Sequence, residues 1–160
     1  MVYQIISNHL ALFTNLVFIL ECDCQKLDNE YKTSRPRSAT DVSNYKLAVL
    51  VPFRDRFDEL LQFAPYMYNF LNKQGLNFDF FVLNQIDRYR FNRASLINIG
   101  YLYTKSMYDY IAMHDVDLLP LNDDLSYAYP KDQPFHVAAP NLHPRYNYSN
   151  FVGGILLVNR

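Results

Sequence analysis

From residue 46 onward the chain alternates between two hydrophobic periods. Residues 46–53 (KLAVLVPF) form an almost unbroken apolar run, the pattern of a strand buried on both faces. At Phe57 the period changes. Phe57, Leu60, Leu61, Ala64, Met67, Tyr68 and Leu71 recur at three- and four-residue spacing, which predicts an amphipathic helix over residues 57–74, bent near Pro65 and capped by Gly75. Residues 78–83 predict a second strand and 84–92 a loop. Leu96, Ile97, Gly100, Tyr101 and Tyr103 then mark a second helix over 94–106, and 108–113 is a third apolar strand. A further apolar run occupies residues 155–158. The order β-α-β-α-β implies an α/β, Rossmann-like fold with a mostly parallel sheet and helices on both faces. In such open sheets ligands bind beyond the carboxyl ends of the strands.

The first part of the chain has no such alternation. Residues 2–20 hold no Asp, Glu, Lys or Arg, and their most apolar stretch is 10–20. That stretch is about as long as a signal-peptide core and short of the ~20 residues that a span needs. Extending it back to Val2 takes in Gln4, Ser7, Asn8, His9, Thr14 and Asn15, so residues 1–20 read as a marginal signal-anchor or as a buried or misassigned start. The basic residues Lys26, Lys32, Arg35 and Arg37 all follow it, and by the positive-inside rule they would hold that side in the cytoplasm. Residues 21–45 are polar, contain Arg35-Pro36-Arg37-Ser38 and read as a stem or linker. Cys22 and Cys24 stand too close for an easy disulfide and are too few for a four-ligand zinc site.

Composition narrows the partners. Half of the 160 residues are hydrophobic, 19% are charged and the net charge is −1, so a globular domain is expected and no basic surplus exists for nucleic acid. The chain has 14 Tyr, 12 Phe, no Trp and 4 Gly. No glycine-rich GxGxxG or GxxxxGK[ST] phosphate loop occurs.

The three predicted strand ends carry the chemistry. Arg54-Asp55-Arg56 follows the first strand, residues 84–93 the second and His114-Asp115-Val116-Asp117 the third. Arginine forks suit phosphate oxygens, and carboxylates at i and i+2 offer hard ligands to Mg²⁺ or Mn²⁺, which bridges diphosphates. Each string alone reads as a solvated loop. Their coincidence on one crevice points to a nucleoside diphosphate. Tyr89 and Phe91 are candidates for stacking on a base, although aromatics in so Tyr- and Phe-rich a chain usually belong to the core. Gly153-Gly154 before the last apolar run allows close backbone approach to a ligand or serves as a plain turn. His114, His136 and His143 are scattered and read as structural or exposed, and Asn147-Tyr148-Ser149 is a glycosylation sequon of low specificity.

In order along the chain, Val51-Pro52-Phe53-Arg54-Asp55-Arg56, Phe91-Asn92-Arg93-Ala94, Asp115-Val116-Asp117-Leu118-Leu119-Pro120 and Phe151-Val152-Gly153-Gly154 resemble the β-1,4-galactosyltransferase family. The resemblance covers residues 46–160, the front of a catalytic domain. Phe-Val-Leu-Asn-Gln at 81–85, Met113-His114 and His143-Pro144-Arg145-Tyr146 are most similar to its xylosylprotein branch, which adds galactose to the xylose of the proteoglycan linker. The resemblance implies a GT-A fold and a UDP-galactose site. In it Pro52, Arg54 and Arg56 meet the nucleotide, Phe91 and Arg93 flank the uridine, and Asp115 and Val116 contact the nucleotide-sugar. Gly153 and Gly154 line the galactose side, and Asp117 binds Mn²⁺. It also implies an inverting transfer to a glycan acceptor and a lumenal domain at the Golgi membrane.

The family continues past the Gly-Gly segment into a Trp-Gly-Trp-Gly acidic stretch with the catalytic base, and then a His-x-His that completes the metal shell. Neither lies in residues 1–160. The expectation is therefore a GT-A fold incomplete at the C-terminus, whose chain as written transfers no galactose. A nucleotide-sugar- or partner-binding fragment is the second reading. A haloacid dehalogenase-type phosphohydrolase with Asp115 as nucleophile is the third, although that pattern usually carries Thr or Val where Leu119 stands.

Overall fold

A computed structural model describes residues 3–7, 43–137 and 152–159. Its six-stranded sheet comprises β1 (Tyr3–Ser7), β2 (Lys46–Phe53), β3 (Asn77–Gln85), β4 (Tyr110–His114), β5 (Phe135–His136) and β6 (Ile155–Asn159), with helices α1 (Phe57–Lys73) and α2 (Arg93–Thr104). The spatial order is β1-β3-β2-β4-β6-β5. The predicted parallel sheet is its centre: β2 runs parallel to β3, from Lys46↔Asn77 to Phe53↔Asn84, and to β4, from Leu47↔Tyr110 to Leu50↔Met113. Antiparallel strands flank that centre, β1 on β3 and β6 on β4, with β5 antiparallel on β6.

The sheet divides two cores because strand side chains alternate between faces. Leu47, Val49, Val51 and Phe53 of β2 join Phe80 and Val82 of β3 and Tyr110 and Ala112 of β4 on the face that α1 covers. Ala48 and Leu50 join Phe81, Leu83 and Ile111 on the face that α2 covers. The chain steps from β2 out to β3 and then back past β2 to β4. Two right-handed crossovers running in opposite directions along a sheet must lie on opposite faces, which is where the helices are. Strand order reverses between β2 and β4, so a crevice opens between their carboxyl ends.

Both helices differ in detail from their predicted faces. α1 buries Leu60, Phe63, Met67, Phe70 and Leu71, whereas Phe57, Leu61 and Tyr68 of the predicted stripe are exposed. Leu61 and Tyr68 each follow a buried position by one residue, and a turn of 100° carries them off the core. The helix runs through Pro65. It ends where predicted, with Gly75 at φ 68°. There the Gly75 N–H donates to Asn72 O and the Leu76 N–H to Leu71 O, the paired bonds of a Schellman ending. α2 buries Leu96, Ile97, Gly100 and Thr104. Tyr101 and Tyr103, which the sequence places on its apolar face, are exposed.

β1 and the two-residue β5 lie outside the strands that the hydrophobic pattern predicts. Tyr3–Ser7 of the candidate anchor pairs with β3, and the rest of residues 1–20 lies outside the described residues, as do most of the stem, Cys22, Cys24, His143, the sequon and Phe151. Among the described residues no helix is long and apolar enough to cross a membrane.

Candidate nucleotide-sugar site

The register of the sheet makes the crevice. β2 and β3 stay paired as far as Phe53↔Asn84, whereas β2 and β4 part after Leu50↔Met113. Val51, Pro52 and Phe53 thus run on beyond their β4 partner. Pro52, which lacks an N–H, falls in this stretch, where no ladder bond to β4 is lost. It is itself buried. Beyond Phe53 the backbone turns sharply, with Asp55 at φ 54°. An aspartate tolerates that left-handed conformation better than most residues.

Arg54 and Arg56 leave this turn in different company. Arg54 Nη1 donates to Tyr89 O at 2.6 Å, and its guanidinium lies 5.4 Å from the Phe91 ring centroid, within cation–π range. Arg56 stands at the start of α1 and donates through Nη1 to Glu59 Oε1 at 2.6 Å. That bond holds the Glu59 carboxyl below its ordinary range and raises the Arg56 guanidinium further, and the charge of Asp117 adds to the rise. Asp117 therefore faces the Arg56 side of the crevice. A shallow cleft there is lined by Glu59, Gln62, Val116, Asp117 and Leu119.

The two carboxylates of the Asp-x-Asp differ. Asp115 Oδ1 accepts from Arg93 Nε at 2.6 Å, so the start of α2 and the loop after β4 meet at this pair. Asp117 is exposed and has no hydrogen bond or salt bridge among the described residues. Val116 between them is 8% exposed, belongs to the core and also lines the cleft. No group of three His, Cys, Asp or Glu able to hold a metal occurs among the described residues. Asp117 is a hard oxygen donor of the kind that Mg²⁺ or Mn²⁺ takes, and it would be the residue among those described to hold such an ion.

Gly154 explains the Gly-Gly pair. At φ 72° it sits at the centre of a tight turn in which the Ile155 N–H donates to Gly153 O at 2.9 Å, a γ-turn of the rarer positive-φ kind. Its own carbonyl accepts the Asp115 N–H at 3.0 Å. His136 of β5 approaches Gly153 O through Nε2 at 2.8 Å. The glycine turn is in this way tied to the Asp-x-Asp from one side and to β5 from the other.

A buried polar relay fixes the start of the Asp-x-Asp. His114 is fully buried, and burial lowers its imidazole pKa to about 4. The neutral ring places Nδ1 2.9 Å from Asp115 O and Nε2 2.9 Å from the Tyr127 hydroxyl. Nδ1–H donating and Nε2 accepting satisfies both contacts. Tyr110 in turn donates to Tyr127 O at 2.9 Å. Burial holds both tyrosine hydroxyls above the ordinary phenol range. The sequence reading of His114 as structural agrees with this. The roles of Tyr127 and of Gln85, a buried amide at the end of β3, were not read from the sequence. The one available signal for Gln85 was a polar residue closing an apolar strand.

A parallel α/β centre gathers arginines, an aromatic and an Asp-x-Asp at its switch point, where open sheets of this class place their ligand crevice. The pattern of the N-terminal region of glycosyl transferase group 7 matches residues 19–130. The chain belongs to this glycosyltransferase family. It is 66% identical to beta-1,4-galactosyltransferase 7 of Drosophila melanogaster over 119 residues, 74% of this chain and 37% of that protein. It is 58% identical to beta-1,4-galactosyltransferase 7 of Homo sapiens over 116 residues, 72% of this chain and 36% of that protein. It is also 39% identical to the xylosylprotein 4-beta-galactosyltransferase of Caenorhabditis elegans, over 92% of this chain and 51% of that protein. The catalytic domain of the Drosophila enzyme, solved in complex with xylobiose, superimposes with a TM-score of 0.70 at 66% identity, covering 72% of this chain and 49% of that one. A mutant of it, solved with manganese, UDP-Gal and xylobiose, gives a TM-score of 0.68 at 63% identity. The chain thus spans about half or less of the relatives it matches. This kinship leaves the phosphohydrolase expectation without support.

Proposed function

We propose that the described residues form the donor side of an inverting β-1,4-galactosyltransferase, binding UDP-galactose for transfer to xylose. The observation that carries the reading is the convergence of Arg54 and Arg56, Phe91 and Arg93, and Asp115 and Asp117 on the carboxyl ends of β2, β3 and β4. Kinship to enzymes solved with UDP-Gal and xylobiose supports it.

Each residue has a task under this reading. Phe91 offers a ring face to the uracil. Arg54 and Arg56 supply positive charge to the diphosphate, where charge grows as UDP departs. Asp115, with Oδ1 held by Arg93, keeps Oδ2 for a sugar hydroxyl. The Gly153-Gly154 turn brings backbone close to the galactose with no side chain in the way. Asp117 would hold Mn²⁺, which when bound supplies Lewis-acid stabilisation to the leaving diphosphate. A lumenal Golgi setting and a role in building the proteoglycan linker belong to the same proposal and rest on kinship. Calorimetric titration with UDP-galactose in Mn²⁺ tests it. Saturable binding that UDP competes away and ADP-ribose does not is the expected result, and equal competition by adenine nucleotides overturns the uridine assignment.

A further inference from the structure

Gln85 ends β3 with 1% of its surface exposed, and its single side-chain amide makes three contacts with the loop that follows. Oε1 accepts the Asn92 N–H at 2.8 Å. Nε2 donates to Asp87 Oδ1 at 2.7 Å and approaches Arg90 O at 3.3 Å. Arg90 O belongs to the peptide unit before Phe91, and the Asn92 N–H to the unit after it. One buried amide therefore grips both peptide units that flank Phe91, which fixes its backbone without touching its ring. Asp87, oriented by Gln85, also accepts the Tyr89 N–H at 3.0 Å, and Tyr89 O is held from the front by Arg54. Asn92, held by its N–H, caps α2 by accepting the Ser95 N–H at 3.0 Å. The next residue is Arg93, whose Nε reaches Asp115.

We propose that Gln85 is a positioning residue for the nucleotide: it presents Phe91 and Arg93 to the base from behind, with no contact to the ligand itself. Both of its amide hydrogens and its oxygen are engaged, and an apolar side chain in its place removes these partners from the Asn92 N–H and the Arg90 carbonyl. This inference rests on the reading that Phe91 and Arg93 receive the uridine.

The test uses the full chain with Gln85→Met, which keeps the volume and removes every bond, and with Phe91→Ala and the double variant. Amide hydrogen exchange without nucleotide and UDP affinity in Mn²⁺ are both measured. The expected result is Asn92 exchange at least tenfold faster with β2 and β4 amides unchanged, and UDP affinity about tenfold weaker. In the Phe91→Ala background Gln85→Met should cost little more, because the ring it positions is gone. Unchanged exchange at Asn92, or the same fold-loss of affinity with and without Phe91, overturns the proposal. If Gln85→Met does not fold, Gln85→Glu serves: it keeps the acceptor for Asn92 and loses both donors, so protected Asn92 with weakened UDP binding supports the proposal and unweakened binding overturns it. A parent chain that binds no UDP overturns the nucleotide reading instead, and Asn92 exchange then still decides whether Gln85 holds the loop.

Discussion

Arg93 Nε and Asp115 Oδ1 stand 2.6 Å apart and join the first residue of α2 to the loop after β4. The pair is about one-third exposed on each side, so its own worth is modest, about 1 kcal/mol or less. Its larger effect is geometric, since it aligns the start of α2 with the Asp-x-Asp. Arg93→Ala should therefore lower the urea midpoint slightly and weaken UDP-galactose binding at least tenfold. A stability loss with binding intact would show that the pair serves the fold alone.

His114 predicts an acid limb to the stability curve. Its pKa is about 4 in the folded chain against about 6.5 when unfolded. Between these values the unfolded state binds the extra proton, so stability rises with pH in that window and is lost as pH falls from about 6.5 toward 4. The loss amounts to about 3 kcal/mol at full extent. His114→Leu removes the titration, at a cost for the unpaired Tyr127 hydroxyl. Urea midpoints at pH 7 and pH 5 should differ less in that variant than in the parent; equal differences would contradict the assignment.

Gly154→Ala places a side chain at φ 72° and should cost about 1–2 kcal/mol. It also displaces the carbonyl that holds the Asp115 N–H. Gly153 is not at positive φ, so Gly153→Ala should spare stability by comparison and weaken UDP-galactose more than UDP, if the sugar lies against it. Thermal melts and paired titrations separate these effects.

Gly100→Ala tests the α2 packing. A Cβ there would stand 2.8 Å from Leu83 Cδ1 and 3.1 Å from Leu50 Cδ2, and both of these leucines are buried. Overpacking costs about 1–3 kcal/mol and the gain in helix propensity returns about 1. A lower melting temperature is expected, and a higher one would show that the two leucines can shift.

The parallel centre and its crevice were legible because strands buried on both faces and helices of 3.6 period leave distinct marks. Residues 46–53 and the Gly75 stop are the clearest cases. The edges were not legible. β5 is two residues long, and β1 lies in an uncharged stretch whose apolar character suits a membrane anchor as well as a strand. Tyr101 and Tyr103 misled because tyrosine fits a surface as well as a core. At the candidate site, residues whose charge or shape suits a ligand could be named by type. Gln85 and Tyr127 could not, because their role lies in which backbone groups they reach, and only the folded chain sets those distances.

Under the proposed function, Asp117 and the surrounding cations form a metal-assisted UDP site. The most direct measurement is UDP affinity of the full chain with and without Mn²⁺, repeated on Asp117→Asn. The account predicts at least tenfold tighter binding with Mn²⁺ in the parent and no such gain in the variant. UDP binding that is indifferent to Mn²⁺, or a Mn²⁺ gain that survives Asp117→Asn, would contradict it.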